Sequence, residues 1–260
     1  MNVRETLAAI LGAVNAEIPA DTVDTIKIGD PEMTVTGIAT CFTATPEAIR
    51  EAVRLGANLI ITHEPTFYDH RDQIGWLAET EVYKRKRALL EASGVAMCRF
   101  HDLAHMNQPD LIMTGMENAL GWTGLQDPTN PWIYRIQPTT LLALCEQLKR
   151  TLDADSVRMV GPGELPAARV ALVPGACPIE MQIEILKAGA DVLVVGETCE
   201  WLIGEYVRDA NQLGMNLGLA VFGHRNTEEE GMRHVASWIR NLMPEVPVHF
   251  LSVGDPLKPV

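Results

Sequence analysis

Long apolar runs are missing from this sequence. No stretch approaches the roughly 18 uninterrupted apolar residues that a membrane helix needs. The opening residues, MNVRETLAAILGAV, place Arg4 and Glu5 beside an apolar run and lack a small-residue cleavage site, a pattern typical of an amphipathic helix rather than a signal peptide. We therefore predict a cytoplasmic protein that has no membrane partner.

Positive charge is scarce. The chain has 21 Lys and Arg residues against 34 Asp and Glu, and its formal net charge is −13. Sequence-independent binding of nucleic acid needs a cationic face that displaces counterions, so no nucleic-acid partner is expected. The dense basic cluster of 84–87 lies within EVYKRKRALLEA, a helical pattern, and is interpreted as a solvated helix face.

Several common site signatures are also absent. The five cysteines are odd in number and form no CxxC pair, which argues against a disulfide framework and a structural zinc site. The sequence has no GxxxxGK[ST] phosphate-binding loop, no GxGxxG dinucleotide loop and no GxSxG nucleophile elbow. These absences exclude the most recognisable nucleotide-binding and serine-hydrolase chemistries.

The sequence does contain alternating strand and helix patterns. TVTGIATCF is followed by the helical PEAIREAVRLG, the apolar ANLIITH, a helix near 79–92 and the apolar GVAMCRF. Thr45 is a suitable N-cap for the first of these helices, with Pro46 at its first position and Gly56 at its end. The alternation predicts an α/β fold with mostly parallel sheets.

The same pattern occurs twice. GANLIITHE at 56–64 resembles GADVLVVGE at 189–197, and both copies continue through a helix to a strand that ends in histidine. Turn formers and prolines in GLQDPTNPWIYRIQP interrupt the pattern between the copies. We therefore predict two similar, interleaved α/β halves: 1–127 joined by 218–260, and 128–217.

Histidines and carboxylates collect after the predicted strands, where ligands of parallel α/β sheets bind. His63, Glu64, His105, His224 and Glu228 form a mixed nitrogen and oxygen set suited to two divalent ions (zinc, iron, manganese or nickel) that share a bridging carboxylate. Thr227 and Glu230 form a capping box that places Glu228 in a first helical turn.

Each of these residues also has a purely structural interpretation. His63, His101 and His105 could be hydrogen-bonded histidines at strand ends or in loops, and Glu64 could be an exposed acid. Glu228 could merely complement a helix dipole. His70, His234 and His249 are given only this structural interpretation.

Four motifs resemble the dinuclear-metal-centre family of ring-shaped hexamers, the Nif-three-like proteins often labelled GTP cyclohydrolase I type 2 homologues. They are ANLIITHEP at 57–65, the histidine loop HDLAH at 101–105, GADVLVVGE at 189–197 and GHRNTE at 223–228. His63, His224 and Glu228 match metal ligands of the family. Glu64 stands where the family has a second histidine, His105 where it has aspartate, and Thr43 where it usually has aspartate.

The resemblance implies a metal cleft between two similar halves and assembly into a homo-hexamer. At Glu64 a carboxylate replaces the family's imidazole, and at His105 an imidazole replaces the family's carboxylate. We therefore hypothesise that the metal site survives with its ligands redistributed between these two positions. Asp102 is the reserve ligand if the loop shifts register.

These features lead us to expect a metal-dependent hydrolase of an unknown small molecule, a nucleotide or a phosphoester. His101 would be its catalytic base or an orienting group. The alternative is a non-catalytic metal-binding hexameric scaffold or a partner-binding regulator.

Overall fold

The computed structural model describes residues 1–260, which form two compact units. The first unit comprises Met1–Gly115 and Gly231–Val253, and the second comprises Met116–Glu230 and Gly254–Val260. The sequence predicts two related halves, 1–127 with 218–260 and 128–217. The two compact units reflect contacts rather than shared ancestry, so the predicted halves stay a prediction.

Eleven strands and nine α-helices build the two units. The strands are β1 (Ile26–Ile28), β2 (Ile38–Cys41), β3 (Leu59–Thr62), β4 (Ala96–Arg99), β5 (Gln126–Asp127), β6 (Asn130–Thr140), β7 (Arg158–Val160), β8 (Pro166–Val173), β9 (Val192–Val195), β10 (Gly218–Val221) and β11 (Val248–Leu251). The helices are α1 (Val3–Gly12), α2 (Pro46–Arg54), α3 (Glu81–Ser93), α4 (Asp102–Met106), α5 (Leu111–Leu120), α6 (Leu141–Thr151), α7 (Ile179–Lys187), α8 (Glu205–Gln212) and α9 (Glu229–Leu242).

The first unit contains a five-stranded sheet in the order β1-β4-β3-β2-β11. Only β1 runs antiparallel to its neighbour. Successive residues of β2, β3 and β4 alternate between two apolar clusters; Ile38 and Ile61 belong to one, whereas Ala39 and Ile60 belong to the other. Because both faces are covered, these short strands are buried along their whole length and read as continuous apolar runs.

The local signals around α2 act as the sequence predicts. Thr45 Oγ1 accepts a hydrogen bond from the Ala48 amide, Pro46 occupies the first helical position, and Gly56 follows with a φ of +76°. The start and end of α2 therefore follow from local chemistry alone.

The second unit contains a six-stranded sheet in the order β5-β6-β8-β9-β10-β7. Strands β8, β9 and β10 are parallel, while β5, β6 and β7 pair antiparallel. Both units thus contain a β-α-β-α-β run with three sequential parallel strands: β2 to β4 and β8 to β10. The predicted α/β class is confirmed, and none of the helices is long and apolar enough to cross a membrane.

Candidate metal centre

Two of the predicted histidines lie together because their strands are neighbours in register. Thr62 at the end of β3 pairs with Arg99 at the end of β4. His63 follows the first strand directly, and His101 follows the second by two residues, so both reach the carboxyl edge of the sheet. Their rings stack with centroids 4.6 Å apart.

Helix α4 adds the third histidine of this group. It places His105 one turn after His101, and the His105 amide donates to the His101 carbonyl at 3.2 Å. The ring nitrogens of His63, His101 and His105 that could bind a metal ion lie within 4.8 Å of one another. These three residues, all in the first unit, are called the imidazole group below.

The hydrogen bonds of His63 and His105 assign their tautomers. His63 Nδ1 lies 3.3 Å from the Phe100 carbonyl oxygen, and His105 Nδ1 lies 3.0 Å from Asp110 Oδ2. Both partners can only accept while Asp110 is ionised, so each Nδ1 carries the proton and each Nε2 keeps its lone pair. A histidine whose Nδ1 donates to a carboxylate or carbonyl is the usual arrangement of a metal-bound imidazole.

The two Nε2 atoms lie close together. His63 Nε2 and His105 Nε2 are 3.2 Å apart. Two lone pairs repel at this separation unless a cation, either a proton or a metal ion, lies between them. Zinc–nitrogen bonds of about 2.0–2.1 Å arranged tetrahedrally would separate two ligand nitrogens by about 3.3 Å, so the pair fits such an ion.

His101 is held as a neutral imidazole. Burial, together with the neighbouring His63, lowers its pKa to about 3. Its Nδ1 lies 3.0 Å from Asp102 Oδ1. Although burial opposes the effect, hydrogen bonds from His101, the Val23 amide and Thr22 lower the pKa of Asp102 to about 2. Asp102 therefore orients His101.

Glu64 lies beside this group. Its Oε1 is 3.7 Å from His101 Nε2, and its Oε2 is 3.8 Å from the guanidinium of Arg99. Arg99 is completely buried and Glu64 is partly exposed. The carboxylate thus faces both a buried cation and the edge of the imidazole group.

Sequence reasoning missed Asp24, which anchors the histidine loop. This buried carboxylate accepts the amides of His101 at 2.6 Å, Asp102 at 3.2 Å and Leu103 at 2.8 Å. Burial raises the pKa of Asp24 against the opposing effect of these hydrogen bonds. No local signal could have revealed this role, because Asp24 precedes the loop by more than seventy residues.

Replacing Asp24 by alanine is expected to lower the free energy of unfolding by about 2–4 kcal/mol, since three backbone amides would lose their buried acceptor. Urea denaturation measures this change. The matched control is Asp21→Ala, a neighbouring carboxylate that is 80% exposed, which should change stability by less than about 0.5 kcal/mol. Equal effects of the two substitutions would contradict the anchoring role.

The second unit brings His224 and Glu228 together. His224 lies beyond the end of β10, and a 3₁₀ turn at Arg225–Thr227 leads to Glu228. His224 Nε2 is 3.0 Å from Glu228 Oε2, and its Nδ1 is 2.9 Å from Glu197 Oε1. Glu197 follows β9, so the two parallel strands again deliver their groups to one edge. Below, His224, Glu228 and Glu197 are called the His–Glu group.

The His–Glu group repeats the arrangement found in the first unit. Donation from His224 Nδ1 to Glu197 leaves the Nε2 lone pair opposite a carboxylate oxygen, and a proton or a metal ion between them is required. Glu228 is only 3% exposed. Helix α9 begins at Glu229, so Glu228 directly precedes the helix and does not lie in its first turn as predicted. The reason is that residues 225–227 form a 3₁₀ turn, which is wound more tightly than an α-helix.

Gly175 leaves the space that this group occupies. Its φ is +63°, and a Cβ at this position would lie 2.2 Å from Glu228 Oε1 and 3.0 Å from His224 Nε2. The Gly175 amide also donates to Thr227 Oγ1 at 3.0 Å. Only glycine satisfies both the backbone conformation and this close approach.

The protein is an α/β protein with candidate metal-binding groups. Each of its two units carries histidine and carboxylate side chains at the carboxyl ends of parallel strands. The chain matches the Duf34/NIF3 (NGG1p interacting factor 3) family over residues 1–256 and belongs to that family. The resemblance stated from the four motifs is confirmed.

Known relatives agree with this assignment. The chain is 28% identical over 230 residues to the GTP cyclohydrolase 1 type 2 homolog of Escherichia coli K12, covering 86% of each chain. Its fold resembles a Bacillus cereus protein related to NIF3, with a TM-score of 0.79, 16% identity and coverage of 100% and 99% of the two chains. A Staphylococcus aureus hypothetical protein has a TM-score of 0.78, 17% identity and the same coverage.

Proposed function

We propose that this protein is a metal-dependent hydrolase of a small molecule, a nucleotide or another phosphoester. The proposed ligands are His63, Glu64 and His105 in the first unit and His224 and Glu228 in the second. They would hold two divalent ions, for which zinc, iron, manganese and nickel are the candidates. The proposed location is the cytoplasm.

The approach of His63 Nε2 to His105 Nε2 at 3.2 Å carries this proposal. Both Nδ1 atoms are turned to acceptors, so the two lone pairs converge on a position that suits a cation. An ordinary structural histidine pair would turn one N–H toward the other ring and would not need two separate acceptors on the far sides.

Bound divalent ions would supply Lewis acidity and would lower the pKa of a coordinated water. His101 would take up a proton at its Nε2, because its Nδ1 is held by Asp102. In this proposal His63 and His105 bind the metal ion, and the neighbouring His101 acts as the general base.

The direct test is to load the protein with each candidate metal, identify the ions by anomalous scattering and screen nucleotides, including GTP, and phosphoesters for turnover. The relatives' cyclohydrolase name makes GTP one member of this screen. Ions that are fully coordinated by protein groups, combined with no turnover, would instead support a non-catalytic metal-binding scaffold, because a catalytic ion keeps an open position.

His101→Asn is expected to lower kcat by about 10²–10⁴-fold on the substrate found in the screen, since a positioned general base contributes about this factor. The metal content should stay at the wild-type value. Loss of metal in this variant would show that His101 is a ligand and would refute its assignment as the base.

The family resemblance also supports a proposed assembly into a homo-hexamer. Light scattering coupled to size-exclusion chromatography measures the mass directly against the 28.6 kDa chain. A monomeric or dimeric mass would overturn this part of the proposal without affecting the ligand assignments.

A further inference from the structure

A pocket of about 340 Å³ adjoins the imidazole group, and His70 lines it together with Arg71, His101 and His105. We propose that His70 is a positioning residue that donates a hydrogen bond from Nε2 to an anionic oxygen of the ligand in this pocket. The inference rests on the proposed function in one respect: that ligand is taken to be the hydrolase's substrate.

The tautomer of His70 is the first support. Arg99 Nη2 lies 3.1 Å from His70 Nδ1. A guanidinium has donors only, so Nδ1 must accept and the proton of the neutral ring resides on Nε2. His70 therefore presents an N–H at Nε2, whereas the proposed ligands His63 and His105 present a lone pair there.

Arg99 is a rigid support for this arrangement. It is completely buried at the end of β4, and its Nε donates to the His63 carbonyl at 2.9 Å. Its Nη1 donates to the His70 carbonyl at 2.7 Å. One guanidinium thus fixes the backbone of a proposed metal ligand and both the backbone and the ring of His70.

The loop that carries His70 is held in an unusual backbone conformation. Tyr68 and Asp72, two residues before and two after it, have φ angles of 69° and 59°, a region that non-glycine residues seldom adopt. Asp69 Oδ1 accepts the amides of Arg71 at 2.9 Å and Gln73 at 2.7 Å. Such conformations persist where surrounding contacts stabilise them. Here the stabilised loop keeps His70 at the pocket.

The pocket chemistry favours an oxyanion. The His70 ring stands nearly perpendicular to that of His101, with centroids 5.1 Å apart. Arg71 and Asp21 also line the pocket, and the guanidinium lies 3.6 Å from that carboxylate; Arg71 is largely exposed and can also face an anion. Asp102 is a pocket carboxylate, but its two oxygens accept hydrogen bonds from His101, Thr22 and the Val23 amide. A phosphate or carboxylate oxygen is therefore the ligand atom we assign to His70.

Two substitutions separate the donor from the Arg99 contact. In His70→Asn the amide oxygen can replace Nδ1 as the acceptor for Arg99, but no donor reaches the position of Nε2. In His70→Gln the longer amide places an N–H near that position. Inorganic phosphate is the probe, titrated into the zinc-loaded full chain by calorimetry.

We expect His70→Asn to weaken phosphate binding about 10-fold or more, because a hydrogen bond to a charged group is lost. His70→Gln should bind within about 3-fold of wild type, and both variants should retain wild-type zinc content. Nitrogen-15 NMR of the wild-type protein should show the Nε2–H tautomer for His70, the donor that the inference requires.

Four results would overturn the inference: equal phosphate affinity in wild type and His70→Asn, loss of zinc in that variant, the Nδ1–H tautomer, or no phosphate binding by the wild-type protein. Turnover is not needed for any of these measurements. Phosphate binding that depends on His70 without any hydrolysis would refute the proposed function alone, whereas hydrolysis without this dependence would refute only the role of His70.

Discussion

His105→Ala is expected to lower the affinity for zinc by at least about 100-fold, since loss of an outer hydrogen-bond partner of a ligand already costs about 10–100-fold. The His105 imidazole faces His63 across 3.2 Å and is oriented by Asp110. Competition with a chromophoric chelator measures the affinity, and mass spectrometry measures the metal content.

A graded series makes this test specific. Asp110→Asn should weaken binding by about 10–100-fold, because the ligand remains but loses its orienting carboxylate. His105→Asp, which restores the aspartate of the family motif, should keep the metal. His234→Ala, on α9 and in neither the imidazole group nor the His–Glu group, is the control and should bind as wild type.

Glu64→Ala tests the hypothesis of redistributed ligands. If Glu64 compensates for the change at His105, its loss should also reduce metal content. Unchanged metal content in both Glu64→Ala and His105→Ala would refute the hypothesis. Loss of metal in His105→Ala alone would leave Glu64 as the partner of Arg99, from which its carboxylate lies 3.8 Å.

Gly175→Ala is expected to reduce the free energy of unfolding by about 2–5 kcal/mol, the sum of a left-handed backbone penalty and overpacking. Its Cβ would lie 2.2 Å from Glu228 Oε1, and Glu228 is buried. Urea denaturation of the metal-free protein measures the stability, and metal content should fall as His224 and Glu228 are displaced.

Gly214→Ala provides the matched control for this steric effect. Gly214 lies in the same unit and has a φ of +82°, but a Cβ there would meet no atom within 4 Å. Its substitution should reduce the free energy of unfolding by about 1–2 kcal/mol, the backbone penalty alone. Equal destabilisation by the two substitutions would contradict the close packing of Gly175 against the His–Glu group.

The sequence predicted the features that depend on local pattern. Thr45, Pro46 and Gly56 mark the limits of α2, and the apolar runs ANLIITH and GVAMCRF form parallel neighbours β3 and β4. Because parallel strands end at one edge of their sheet, the strand-end positions of His63 and His101 already predicted that they would meet.

Long-range contacts were beyond sequence reasoning. His70 was interpreted as a structural histidine, yet Arg99 turns it toward the pocket that adjoins the imidazole group. The sequence does not single out Asp24 or Asp110, and it contains Glu197 only as the end of the GADVLVVGE motif, although each orients the loop or the ring of a predicted site residue. An isolated aspartate or glutamate in a chain rich in acids has no pattern that separates such a partner from a solvated surface group.

The sequence by itself determined the α/β class, the family and the residue types at the strand ends, because periodicity, capping and short motifs act over a few residues. Only the tertiary structure decided which nitrogen of each histidine carries the proton. That choice depends on acceptors and donors brought from distant parts of the chain: Asp110 and the Phe100 carbonyl leave Nε2 lone pairs for a cation, whereas Arg99 leaves His70 with an Nε2 proton to donate.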